Sequence, residues 1–145
     1  MTYSKRFSSK FFSKLLKPAG NNPVRDRATS FEMIFELLDQ KEDKNFLIVE
    51  TGCMRADHGQ LAFGDDGAST HIFDDFINFY DGEFYSVDIN QDNVNHAQSM
   101  VSDKTKVVCS DSVKYLWSLP KDKKIDFLYL DSYDVERDNP HPSQL

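Results

Sequence analysis

Phe46-Leu-Ile-Val-Glu-Thr-Gly52 is the stretch on which the fold turns. Its first four residues are continuously apolar, the pattern of a strand buried on both faces of a parallel sheet, and Gly52 ends it. Upstream, Phe31, Ile34, Phe35, Leu37 and Leu38 recur with helical period. They follow Thr29-Ser-Phe-Glu32, which has the spacing of a capping box, so a helix is expected near 30–40. Downstream, a polar loop runs to Gly67, and Ile72, Phe73, Phe76, Ile77 and Tyr80 then mark one face of a helix over 69–80. Asp81-Gly82 reads as a turn into a strand over 83–88. A weaker helix over 90–101, a strand over 106–109, a short helix over 112–119 stopped by Pro120, and a strand over 125–131 complete the pattern. Tyr115, Leu116 and Trp117 are expected to pack that short helix into the core. Strict alternation of helix and strand implies a parallel, doubly wound α/β sheet.

Composition narrows the function. A chain of 145 residues is enough for one domain. An aromatic content of 13% argues against intrinsic disorder. No apolar run approaches the ~20 residues of a membrane-spanning helix, so no integral membrane segment is expected. A net charge of −7 disfavours nucleic acid as a partner. Two cysteines make neither a disulfide framework nor a zinc ribbon. Cys53 and Cys109 would end the first and third strands with the second between them, about 9–10 Å apart and too far for a bridge. Free thiols fit a cytoplasmic location.

The charge is unevenly placed. Residues 1–24 carry five basic residues and no acid, and the other 121 carry 12 basic and 24 acidic ones. Residues 1–24 are therefore read as a basic arm and linker, and residues 25–145 as the α/β domain. Phe7, Phe11, Phe12, Leu15 and Leu16 recur among the lysines, so the segment could bind a membrane surface or act as a transit peptide. The favoured reading is a solvated arm or a first helix ended by Pro18.

Ligands of such sheets bind outside the carboxyl ends of the strands, at the switch in strand order. Glu50 and Gly52 close the first strand, Asp88 closes the second, Asp111 follows the third and Asp131 closes the fourth. An acid after the second strand is placed to accept hydrogen bonds from ribose hydroxyls. Asp111 could equally cap the helix that begins at Ser112. Neither a dinucleotide G-x-G-x-x-G nor a P-loop follows the first strand. Instead Gly67 would let backbone approach a ligand, and Ser69 or Thr70 would start a helix whose free amides favour an anionic group. Asp131, Asp134, Asp138 and His141 could hold a divalent metal ion, and Asp57-His58 is similarly suggestive, although an acidic surface loop is the favoured reading.

These residues resemble class I S-adenosylmethionine-dependent methyltransferases over roughly residues 29–134. The similarity lies in Val49-Glu50-Thr-Gly52, the helix start Gly67-Ala-Ser-Thr70, Tyr85-Ser-Val-Asp88, Cys109-Ser-Asp111 and Leu128-Tyr-Leu-Asp131. The resemblance implies a Rossmann-like fold with S-adenosyl-L-methionine as cofactor and an unidentified small-molecule acceptor. Glu50 and Gly52 would lie under its methionine part, and Gly67, Ser69 and Thr70 would hold its carboxylate. Asp88 would bind the ribose, Ser110 and Asp111 would sit beside the adenine, and Asp131 would border the reacting methyl group. Asp131 or His141 could serve as a base toward an oxygen or nitrogen acceptor.

The sequence departs from the family in two places. The glycine usual two residues after Gly52 is Met54, and the seven-stranded family core is represented by four strands, so the chain reads as the incomplete, cofactor-binding part of such a domain. A catalytically inactive nucleoside-binding module or partner subunit is the alternative, with a dinucleotide-dependent oxidoreductase third. An exposed fourth strand could pair with a second copy of the chain.

Overall fold

Strand β1 (Asn45–Thr51) lies inside a four-stranded, all-parallel sheet of order β3-β2-β1-β4, in the computed structural model that describes residues 1–15, 27–55 and 68–131. Strands β2 (Asp81–Asp88) and β3 (Thr105–Cys109) extend the sheet on one side of β1, and β4 (Phe127–Leu130) lies on the other. The helices are α1 (Tyr3–Lys10), α2 (Phe12–Leu15), α3 (Arg27–Asp39), α4 (Ser69–Phe79), α5 (Gln91–Ser99) and α6 (Ser112–Ser118). The architecture is α/β and Rossmann-like, and the strand order reverses between β1 and β4. Among the described residues no helix is long and apolar enough to cross a membrane.

Alternation along the strands sorts the two faces of the sheet. Phe46, Ile48 and Phe84 face the main core, where they meet α1, α3 and α4. That core is largely aromatic. Phe46 and Phe76 lie 4.8 Å apart, Phe73 and Phe84 5.6 Å, and Tyr3 and Phe35 4.6 Å. The expectation for the basic N-terminal segment resolves in favour of a first helix, with its apolar side in this core. Tyr3, Phe7, Phe11 and Leu15 are all at most 2% exposed.

Two carboxylates fix that helix. Asp39, at the end of α3, accepts the N–H groups of Tyr3 and Ser4 at 3.1 and 2.9 Å. It thus caps α1 from another helix, where Thr2 makes no side-chain cap. Asp75 of α4 receives Arg6, Lys10 and the Tyr3 hydroxyl at 2.7–3.0 Å. Burial alone would raise the Asp75 pKa, but these donors bring it down to about 2.

Three local expectations are corrected. Thr29 does not cap its helix, because α3 already includes Arg27 and Ala28. Ala28, Phe31, Phe35 and Leu38 form one buried stripe, so the apolar face itself begins before Thr29. Asp81-Gly82 is not a turn but the start of β2, paired with Asn45 and Phe46. Gly82 has φ +128°, and a Cβ there would lie 1.9 Å from the Phe46 carbonyl oxygen, so the second residue of the strand must lack a side chain. Trp117 is not in the core: it is 79% exposed, while Tyr115 and Leu116 turn toward the sheet and are half-buried. Together with Leu47, Tyr85 and Leu128 these residues line an open apolar groove on the face opposite α4.

Candidate functional site

The carboxyl ends of the four strands bring Glu50, Gly52, Asp88, Ser110, Asp111 and Asp131 to one rim of the sheet. Gly52 follows β1 with φ +84°, a backbone conformation natural to glycine, and its N–H bonds the Val87 carbonyl at 2.7 Å. The next two amides are satisfied elsewhere. The Cys53 N–H reaches Asp88 Oδ2 at 3.2 Å, and the Met54 N–H reaches Thr70 Oγ1 at 3.0 Å. Three successive N–H groups thus tie the turn after β1 to the body of β2, to the acid at its end and to the first turn of α4. Met54, which stands where the resemblance would place a glycine, is buried beside Cys53 and Ala97.

Glu50 lies beneath this turn and is fully buried. Its cross-strand neighbour Ser86 donates to Oε2 at 2.6 Å, as the register Glu50↔Ser86 requires. Thr70 donates to the same oxygen at 2.8 Å, and the Ser69 hydroxyl donates to Oε1. Desolvation pushes the Glu50 pKa up to about 7, against the pull of the three hydroxyls, and the Asp131 carboxylate adds to the rise. Ser69 and Thr70 do begin α4 as the sequence suggests, but their side chains turn inward to Glu50. Their backbone amides form the first turn of the helix. Ala68, at the N-cap, has φ +45° and offers no side-chain acceptor to those amides.

Asp88 is half-buried at the end of β2. Its Oδ1 accepts the Asn90 N–H at 2.8 Å and its Oδ2 the Cys53 N–H. These two amides and the adjacent Cys53 thiol take up part of the carboxylate's acceptor capacity of about four hydrogen bonds. The neighbouring Cys53 thiol is pushed up by burial first and by the charges of Asp88 and Glu50 second, which keeps it neutral. Beyond Asp88, Ile89 is 75% exposed and offers an apolar surface on the same rim. Ile89 is not among the residues expected at the site, although an apolar residue directly after a strand-ending acid is a legible signal.

At the end of β3, Asp111 is the N-cap of α6 and accepts the Lys114 N–H at 2.9 Å. The capping reading therefore holds for one of its oxygens. Ser110 is tied to β2 through its N–H and the Asp88 carbonyl at 3.0 Å. After β4, Asp131 is exposed, and its N–H continues the ladder to the Thr51 carbonyl at 2.8 Å. Cys53 is buried, Cys109 is exposed, and both are free thiols.

Gly67, Asp57, His58, Asp134, Asp138 and His141 lie outside the described residues. Among the described residues no group of three or more His, Cys, Asp or Glu side chains could hold a metal ion. Comparison with known proteins found no matching family model, no matching curated protein and no matching solved structure.

Proposed function

We propose that the strand-end rim binds S-adenosyl-L-methionine and that the chain contributes the cofactor half of a methyl-transfer site for a small-molecule acceptor. One observation carries this reading. The half-buried Asp88 carboxylate stands at the end of β2 beside the positive-φ Gly52 turn, and a buried carboxyl lies beneath that turn. A nucleoside ligand needs an acceptor for paired ribose hydroxyls, and a sulfonium favours nearby negative charge.

The remaining residues fit the same ligand. Gly52 lets the backbone approach without a Cβ, and the first-turn amides of α4 suit a carboxylate. The exposed Ile89 side chain offers a flat base an apolar contact, with Ser110 and the second oxygen of Asp111 at its edge. When bound, the cofactor supplies an activated methyl group, so the protein's task is alignment of the acceptor. Asp131, exposed at the reversal of strand order between β1 and β4, is the residue we assign to orient the acceptor or take its proton.

Two free cysteines support a reducing, cytoplasmic setting. The outer edge of β4 supports pairing with a second copy of the chain, since β1 is its only strand partner among the described residues.

Calorimetric titration with S-adenosylhomocysteine, beside NADH as control, tests the reading. Saturable binding of the first ligand alone is expected. Asp88→Ala should weaken it at least about tenfold, the loss of a charge-assisted hydrogen bond to a hydroxyl pair. Binding of NADH in its place would favour a dinucleotide enzyme, and no binding by the folded chain would reject the cofactor site.

A further inference from the structure

Glu50 is a fully buried carboxyl. Its hydrogen-bond partners are the hydroxyls of Ser69, Thr70 and Ser86, all neutral. The Asp131 carboxylate after β4 raises its pKa further, and Glu50 in turn raises that of the Cys53 thiol in the turn after β1, which also faces Asp88. A carboxylate in such a place favours any positive charge that arrives at the rim, and an arriving cation favours ionisation of the carboxyl.

We propose, building on the methyl-donor reading above, that Glu50 makes the rim proton-coupled and charge-selective: it binds the cationic sulfonium form of its ligand in preference to the neutral thioether, by a margin that grows as pH rises through neutrality. The cofactor and its demethylated product differ in charge at one sulfur atom, so a single buried carboxyl is enough to tell them apart. Burial holds the Glu50 proton into the neutral range, where both ionisation states are populated. Binding of the sulfonium releases that proton, and the product is held less tightly at the same pH. The hydroxyl cluster positions the charge: Thr70 relays it to the Met54 N–H, and Ser86 fixes it to β2.

The test is the ratio of the dissociation constants of S-adenosylhomocysteine and S-adenosylmethionine, measured by calorimetry on the whole chain between pH 5.5 and 7.5. For the wild type the ratio should rise by about tenfold across that range. For Glu50→Gln it should stay at the variant's low-pH value, and titration of the ligands' own groups cancels in the comparison of the two proteins. Ser86→Ala removes a donor to the carboxylate, so it should move the midpoint of the rise to higher pH, an effect that a purely structural role for Ser86 would not produce. That shift carries the test if Glu50→Gln does not fold. A wild-type ratio independent of pH, with both ligands bound, overturns the proposal while leaving the methyl-donor reading intact. The same pH profile in Glu50→Gln overturns it too. Binding of neither ligand removes the reading on which it rests, and the proposal with it.

Discussion

Glu50 shows how far a single residue can be read from sequence. Its place after an apolar run marks it as a strand end, and the E-x-G spacing marks it as a site residue. Its burial under three hydroxyls depends on where α4 begins relative to β1, which no local pattern encodes. Ser69 and Thr70 show the same limit: their position at a helix start was legible, but the inward turn of their side chains was not. The buried carboxyl has a direct consequence for stability. Its pKa is raised from 4.5 to about 7, so the native state binds the proton more tightly than the unfolded chain. Stability from this group is therefore present below pH 4.5, falls as pH rises toward 7 and levels off above it. Glu50→Gln removes that dependence. Between pH 5 and pH 8 the variant should gain roughly 2–3 kcal/mol relative to wild type, measured by urea denaturation at each pH. A difference between the two proteins that does not vary with pH would contradict the burial argument.

At the scale of elements, all four strands and the helices between them were legible, because continuous apolar runs and 3.6-residue periods are local signals. Boundaries shifted where a distant partner decides them. β2 starts at Asp81 because Gly82 permits close approach to Phe46, and α3 includes Ala28 because its buried stripe extends that far. Trp117 was misjudged because a seven-residue helix turns only part of its surface toward the sheet. The basic N-terminal segment was ambiguous for a different reason: its lysines and its phenylalanines give opposing signals until a partner is known. Its anchor is Asp75, whose pKa is lowered to about 2 by Arg6 and Lys10 in spite of burial. A depressed carboxylate pKa adds stability that is present above the unfolded value and is lost as pH falls through about 2. Asp75→Ala leaves the half-exposed Arg6 guanidinium without this acceptor, while the Tyr3 hydroxyl keeps the Ile72 carbonyl, and should cost about 1–2 kcal/mol. Phe7→Ala, on the buried face of the same helix, should cost about 3–5 kcal/mol. Both losses are readable as lower denaturation midpoints with an unchanged slope. A near-neutral result for both would mean that α1 is not part of the cooperative core.

Across the whole molecule, strict alternation of elements was sufficient to give a parallel sheet, and the right-handed crossover rule then restricts where its helices lie. The side of β1 on which β4 pairs was not written locally. It follows from the helix after β3 crossing the face opposite α4, where Tyr85 and Leu47 look toward Tyr115 and Leu116. That reversal between β1 and β4 opens the strand-end rim, and it gathers Glu50, Gly52, Asp88, Asp111 and Asp131 from the ends of four strands. The proposed nucleoside ligand at this rim is tested by backbone amide spectra of the isotopically labelled chain, with and without S-adenosylmethionine. Shifts concentrated at Gly52, Cys53, Asp88, Ile89, Ser110 and the first turn of α4 are expected. Unchanged spectra at saturating ligand, or shifts confined to Trp117, Leu128 and the groove on the opposite face, would contradict it.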